Sequence, residues 1–144
     1  MKPIHILLVD DDEADVLLTR RALQRDKLLL EVHEVQNGED CMAFLRKQPP
    51  YEDAPRPDIV LLDLNMPRMG GLEVLEAVRA DPELRFLPIV ILTTSSSDED
   101  IVRSYNLNAN CYITKPVNLS EFKRVIESIE HFWFTVVRLP TSAG

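Results

Sequence analysis

"IHILLVDDDEAD", residues 4–15, runs an apolar stretch straight into three consecutive aspartates. A short continuous apolar run that stops at charge is the pattern of a strand covered on both faces, as in a parallel sheet. The segment behind it, EADVLLTRRALQRD (13–26), has helical period, with Ala14, Leu17, Leu18 and Ala22 expected along one face and arginines on the other. Asp12 is placed to cap that helix, which accounts for one of three carboxylates that otherwise repel one another. Asp10 and Asp11 are then either a solvated turn or part of a cation site.

The alternation of short apolar runs and helical segments continues along the chain. LEVHEV (30–35) reads as a strand, QNG as a turn, and EDCMAFLRKQ (39–48) as a helix whose apolar content is Cys41, Met42, Phe44 and Leu45. PPYEDAPRPD (49–58) holds four of the ten prolines, between 49 and 57, and is expected as an extended surface loop. IVLLDL (59–64) is a third strand, NMPRMGG a turn, and LEVLEAVRAD (72–81) a helix with Leu72, Val74, Leu75 and Val78 as candidates for burial. LPIVILTT (87–94) and CYITKP (111–116) are the fourth and fifth strands, separated by the helix DEDIVRSYNL (98–107), whose acidic start suits its positive end. A last helix begins at NLSEF (118–122), with Phe122, Val125, Ile126, Ile129 and Trp133 recurring at three and four. Strands interleaved with helices, several of them apolar on both faces, predict one α/β domain over 1–144 with a parallel sheet wrapped by helices.

Composition narrows the function. In 144 residues, 16 Lys and Arg face 24 Asp and Glu, a net charge of −8, which disfavours a nucleic-acid backbone as partner. The two cysteines, Cys41 and Cys111, have no C-x-x-C spacing and are too few for a disulfide framework or a zinc site; Cys111 is expected as a reduced, buried thiol. No stretch approaches a membrane span, and the N-terminus reaches aspartates too soon for a signal peptide, so a cytoplasmic location is expected.

In open parallel sheets ligands bind beyond the carboxyl ends of the strands, where strand order reverses. The first strand ends in Asp10 and Asp11, the third in Asp63, the fourth in Thr93 and Thr94, and the fifth in Lys115 followed by Pro116. Three carboxylates converging within a few ångströms call for a cation, and an all-oxygen set suits Mg²⁺ bridging to a phosphate. A carboxylate also serves as a nucleophile that forms an acyl phosphate, while a lysine and a hydroxyl meet phosphoryl oxygens. Taken singly, each residue has a plainer reading: a helix cap, a turn opener, a β-branched strand residue, a solvated cation. Four separate strand ends carrying the groups of one phosphotransfer site outweigh those readings.

The stretches LLVDDD, IVLLDLNMPRMGG, PIVILTTSS and YITKP together resemble the receiver domain of two-component response regulators, over residues 4 to about 130. The resemblance implies a flavodoxin-like, doubly wound (βα)5 fold with strand order 2-1-3-4-5. It implies phosphorylation of Asp63 by a histidine kinase, and a Mg²⁺ or Mn²⁺ ion held by Asp11, Asp63 and the Asn65 carbonyl, with Asp10 acting largely through water. Thr93 resembles the switch hydroxyl, Lys115 the phosphate-pairing lysine, Pro116 the residue after a cis peptide, and Tyr112 the aromatic that turns inward with Thr93. That switch would alter the surface around the fourth helix, fifth strand and fifth helix.

The chain departs from the family pattern at Gly70, where Asp is frequent and would cap the third helix, and at Thr94, where a smaller residue is common. Asn65 and Ser95 flank the expected path of hydrolytic water. The proline-rich loop at 49–57 and the aromatic tail HFWFTVVRLP at 131–140 resemble the single-domain regulators that partner cyanobacterial and bacterial phytochrome kinases. The tail carries more aromatic residues than a closing helix needs, either folded back on the body through Trp133 and Val137 or, as expected here, forming a homodimer through the last helix and tail. Two other readings stay open: a haloacid-dehalogenase-like phosphatase using Asp10 as nucleophile and Asp12 as general acid, and a receiver-fold adaptor that is never phosphorylated. With only four glycines and none cradling a phosphate after the first strand, a nucleotide binder is disfavoured.

Overall fold

A computed structural model of the chain describes residues 3–23, 30–93, 98–109 and 111–114. Strands β1 (Ile4–Val9), β2 (Leu30–Val35), β3 (Ile59–Leu62), β4 (Ile89–Thr93) and β5 (Cys111–Thr114) alternate with helices α1 (Glu13–Leu23), α2 (Gly38–Leu45), α3 (Gly71–Ala80) and α4 (Asp98–Asn106). The sheet is parallel throughout, in the order β2-β1-β3-β4-β5. The expected helix from residue 118 and the aromatic tail lie outside the described residues.

The runs that read as doubly covered are buried along their length. Ile6–Val9 and Ile59–Leu62 fill the centre of the sheet, and their alternate side chains feed two separate apolar layers. Leu7, Val9, Val60 and Leu62 pack with α2 and α3 through Phe44, Leu45, Val74, Leu75 and Val78, whereas Ile6, Leu8, Ile59 and Leu61 pack with Leu23 of α1. β2, at the sheet edge, is only half covered and alternates accordingly.

Two local expectations need correction. On α1, Ala14 and Leu17 face solvent, and the inward side is Val16, Leu18, Thr19 and Leu23. The sequence pattern misled because Thr19, a polar residue, takes a core position at 1% exposure. The segment 49–57 is not simply extended: Tyr51 N–H donates to Gln48 O at 2.7 Å and Ala54 N–H to Tyr51 O at 3.0 Å, so it folds as successive turns. Tyr51 lies against Phe44 with ring centroids 5.4 Å apart, and Pro57 is buried, which draws the loop onto α2.

Cys41 has no exposed surface, and burial pushes its thiol up to about 12. At pH 8 the thiolate fraction is then on the order of one part in ten thousand, so alkylation of the native protein should spare Cys41 and reach it only in denaturant. Peptide mapping after iodoacetamide treatment checks this; ready labelling of Cys41 in the native state would contradict the packing. On β2, burial and then the neighbouring His5 of β1 push the His33 imidazole below its ordinary range.

Candidate functional site

Register builds the site. Val9 is aligned with Leu62, so the residues that follow them, Asp10 and Asp63, leave the sheet on adjacent strands, spaced by the ~4.8 Å of a sheet ladder. Backbone bonds prolong the pairing past the strand ends: Asp63 N–H donates to Val9 O at 2.9 Å and Asp10 N–H to Val35 O at 3.1 Å. β1 is the strand flanked by β2 on one side and β3 on the other, so the crevice opens where strand order reverses.

Carboxylate oxygens of Asp10, Asp11 and Asp63 all lie within 4.8 Å of one another, Asp11 exposed, Asp10 and Asp63 only 3% and 7% exposed. Opposite oxygens around an octahedral Mg²⁺ stand about 4.2 Å apart, so the cluster has the dimensions and the hard-oxygen chemistry of a divalent-cation shell. Asp12 does the separate job expected of it. Its Oδ1 accepts from Ala14 N–H at 2.9 Å and Asp15 N–H at 3.1 Å, capping α1, and its own N–H donates to Asp10 Oδ1 at 2.9 Å.

The loop after Asp63 is tied down. Asn65 N–H donates to Asp63 Oδ1 at 3.3 Å, and Gly71 N–H to Leu64 O at 3.0 Å. Farther on, Gly38 and Glu39 at the start of α2 donate their backbone N–H groups to Met69 O at 3.1 Å and Arg68 O at 3.2 Å, and the Arg68 guanidinium meets Glu39 Oε2 at 2.9 Å. Gly38 is required there, since a Cβ would collide with the Met69 carbonyl. Arg68 (φ 50°) and Met69 (φ 81°) both occupy the left-handed region, a strain of roughly 1–3 kcal/mol each that the strap to α2 holds in place. Gly70 stands at the N-cap of α3 without a side-chain cap bond.

Thr93 ends β4 and Tyr112 lies in β5; they are placed only as strand positions, with Thr93 aligned to Thr114 and Tyr112 to Ile91. Thr94, Ser95, Lys115 and Pro116 lie outside the described residues. Sequence reading missed Arg68 and Glu39, which carry no motif and meet only through the fold.

The repulsion among the carboxylates has a measurable consequence. Asp10→Asn retains an oxygen for the Asp12 N–H while removing one negative charge, so the metal-free variant should be more stable by about 1–2 kcal/mol. Urea melts in chelator check the sign; a less stable variant would show that the three charges do not repel appreciably.

The model of the response regulator receiver domain matches residues 6–127. The chain belongs to this family. Receiver relatives extend over nearly its whole length: response regulator Rcp1 of Synechocystis sp. is 41% identical over 140 residues, which cover 97% of this chain and 95% of Rcp1. Among solved structures, the phosphorylated cyanobacterial phytochrome response regulator RcpA superposes with a TM-score of 0.94 at 43% identity, covering 97% of this chain and all of RcpA. The Mn²⁺-bound form of Rcp1 gives 0.92 at 42% identity, covering 96% of this chain and all of that one. This receiver is thus a two-component phosphorelay signalling protein. Among the described residues, no helix is long and apolar enough to cross a membrane.

Proposed function

We propose that the chain, read as one receiver domain over 1–144, accepts a phosphoryl group from a histidine kinase on Asp63. What carries the reading is the largely buried Asp63 carboxylate within 4.8 Å of Asp10 and Asp11 at the switch point of a receiver sheet. Asp11, Asp63 and the Asn65 carbonyl would hold Mg²⁺ or Mn²⁺, with Asp10 acting through water; the ion would offset the carboxylates and the charge of the entering phosphoryl group. An Asp63 oxygen forms the new P–O bond as the P–N bond to the kinase imidazole breaks, and the departing nitrogen takes up a proton. Lys115 pairs with the phosphoryl oxygens, the Thr93 hydroxyl moves in to donate to another of them, and Tyr112 follows inward, remodelling the surface of α4, β5 and the last helix. The protein itself serves as acceptor and assists its own labelling and dephosphorylation, with no other substrate.

The partner is read as a phytochrome-type kinase, on the strength of the phytochrome response regulator RcpA and of the bacteriophytochrome response regulator RtBRR, 38% identical with a TM-score of 0.76. The setting is the cytoplasm, and the assembly a homodimer through the last helix and the tail 131–140.

The test is acetyl phosphate with Mg²⁺, followed by mass-spectrometric mapping of the labile, hydroxylamine-sensitive acyl phosphate. Label on Asp63 that needs Mg²⁺ and disappears in Asp63→Asn is the expected result. Label that survives Asp63→Asn but is lost in Asp10→Asn would overturn it in favour of a dehalogenase-like nucleophile, and no label would favour a phosphate-independent adaptor.

A further inference from the structure

At the opposite ends of β1 and β2, far from Asp63, His5, Glu31 and His33 present ligand atoms within 4.8 Å of one another. Parallel pairing creates the group: His5 is aligned with Glu31, and His33 is the next residue of β2 on the same face. His5 Nδ1 lies 3.1 Å from His33 Nε2 and 3.2 Å from Glu31 Oε2. The ring centroids are 5.3 Å apart and the two ring planes lie 27° from parallel. A single proton on Nδ1 serves only one of its two neighbours, whereas one cation serves all three atoms at once.

We infer that His5, His33 and Glu31 form a second metal site, one that takes Zn²⁺ in preference to Mg²⁺ and is chemically unlike the carboxylate pocket. Two imidazoles and a carboxylate are the ligand types zinc takes, and donors 2.0–2.1 Å from a tetrahedral ion stand about 3.4 Å apart, close to the two measured separations. The fourth position is left to water. Mg²⁺ has little affinity for imidazole, so the two sites divide the available cations by ligand softness. Asp58 Oδ2 accepts from the His5 backbone N–H at 2.8 Å, and the charge of the nearby Arg20 is met by Glu34, its Nε 2.6 Å from Oε2. The His5 and Glu31 side chains are 23% and 52% exposed, so an ion reaches them without opening the core. His33 is fixed from behind by Phe44, with centroids 5.5 Å apart, so one ligand is held by α2 and the others by the sheet.

The test titrates Zn²⁺ between the protein and a chromophoric chelator, in excess Mg²⁺ so that the carboxylate pocket is not a competitor. One tight equivalent per chain is expected, weakened at least about tenfold by His5→Gln, His33→Gln or Glu31→Gln and unchanged by Asp10→Asn. Because Glu31 is half exposed, Glu31→Gln keeps the test decisive even if His33→Gln fails to fold. Co²⁺ in place of Zn²⁺ should give the intense visible bands of a tetrahedral site. Failure to retain Zn²⁺ would overturn the inference, as would binding that depends on Asp10, Cys111 or His131 and not on these three residues.

Discussion

Gly71→Ala should lose stability and phosphorylation together. A Cβ at Gly71 would collide with the Asp63 carbonyl oxygen and stand 2.7 Å from Leu64 Cα and 3.0 Å from Leu64 Cδ2. The first two obstacles are backbone of Asp63, the residue we propose as phosphoacceptor, and of its neighbour, so relief requires moving the site itself. Overpacking of this kind costs about 1–3 kcal/mol or more, against at most ~1 kcal/mol gained from the better helix former. A displacement near 1 Å at a reacting group costs on the order of a hundredfold in rate. We therefore expect a drop of about 2 kcal/mol by urea unfolding and a comparable hundredfold slowing of labelling by acetyl phosphate. Gly70→Ala is the control for labelling, since its Cβ would meet only Leu64 O at 3.4 Å, an ordinary contact, and its poorer N-cap costs about 0.5–1 kcal/mol of stability without displacing Asp63. Wild-type labelling in Gly71→Ala would mean that the loop yields without carrying Asp63 with it.

Arg79→Ala should separate the two properties. From the end of α3, its guanidinium donates to Arg85 O at 2.9 Å, to Leu87 O at 2.7 Å and, through two nitrogens, to Asn108 O at 3.2 and 2.8 Å. These carbonyls belong to the chain entering β4 and the turn before β5, so one side chain fastens both approaches to the sheet. Burial lowers the affinity of this guanidinium for its proton, yet the carbonyls hold it charged. Removing it leaves several polar groups without their charged donor and should cost about 2–3 kcal/mol. The clamp sits at the strand ends away from Asp63, so the labelling rate at a temperature where the variant is folded should match wild type. A variant of undiminished stability would show that water replaces the guanidinium without loss.

The central strands were legible because β1, β3 and β4 are buried on both faces and so leave uninterrupted apolar runs. Asp10, Asp11 and Asp63 were legible for a related reason: charge directly after such a run marks a strand's carboxyl end. What could not be read depends on register and on long-range approach. His5 and Glu31 become neighbours only once β1 and β2 pair in one particular alignment. Arg79 finds Asn108 across 29 residues through the packing of α3 on the sheet. On α1 the pattern failed because Thr19 and Leu17 exchange the places that their polarity suggests, which periodicity alone does not resolve.

The backbone bonds between α2 and the loop beyond Asp63 bear on how force travels through the molecule. Gly38 and Glu39 grip Met69 and Arg68 where no side chain fits between, so loop and helix move as one piece. The Arg68–Glu39 pair stands in solvent at the outer end of that piece, with both side chains more than half exposed. A displacement of either residue is therefore passed through these bonds into the loop that begins at Asp63.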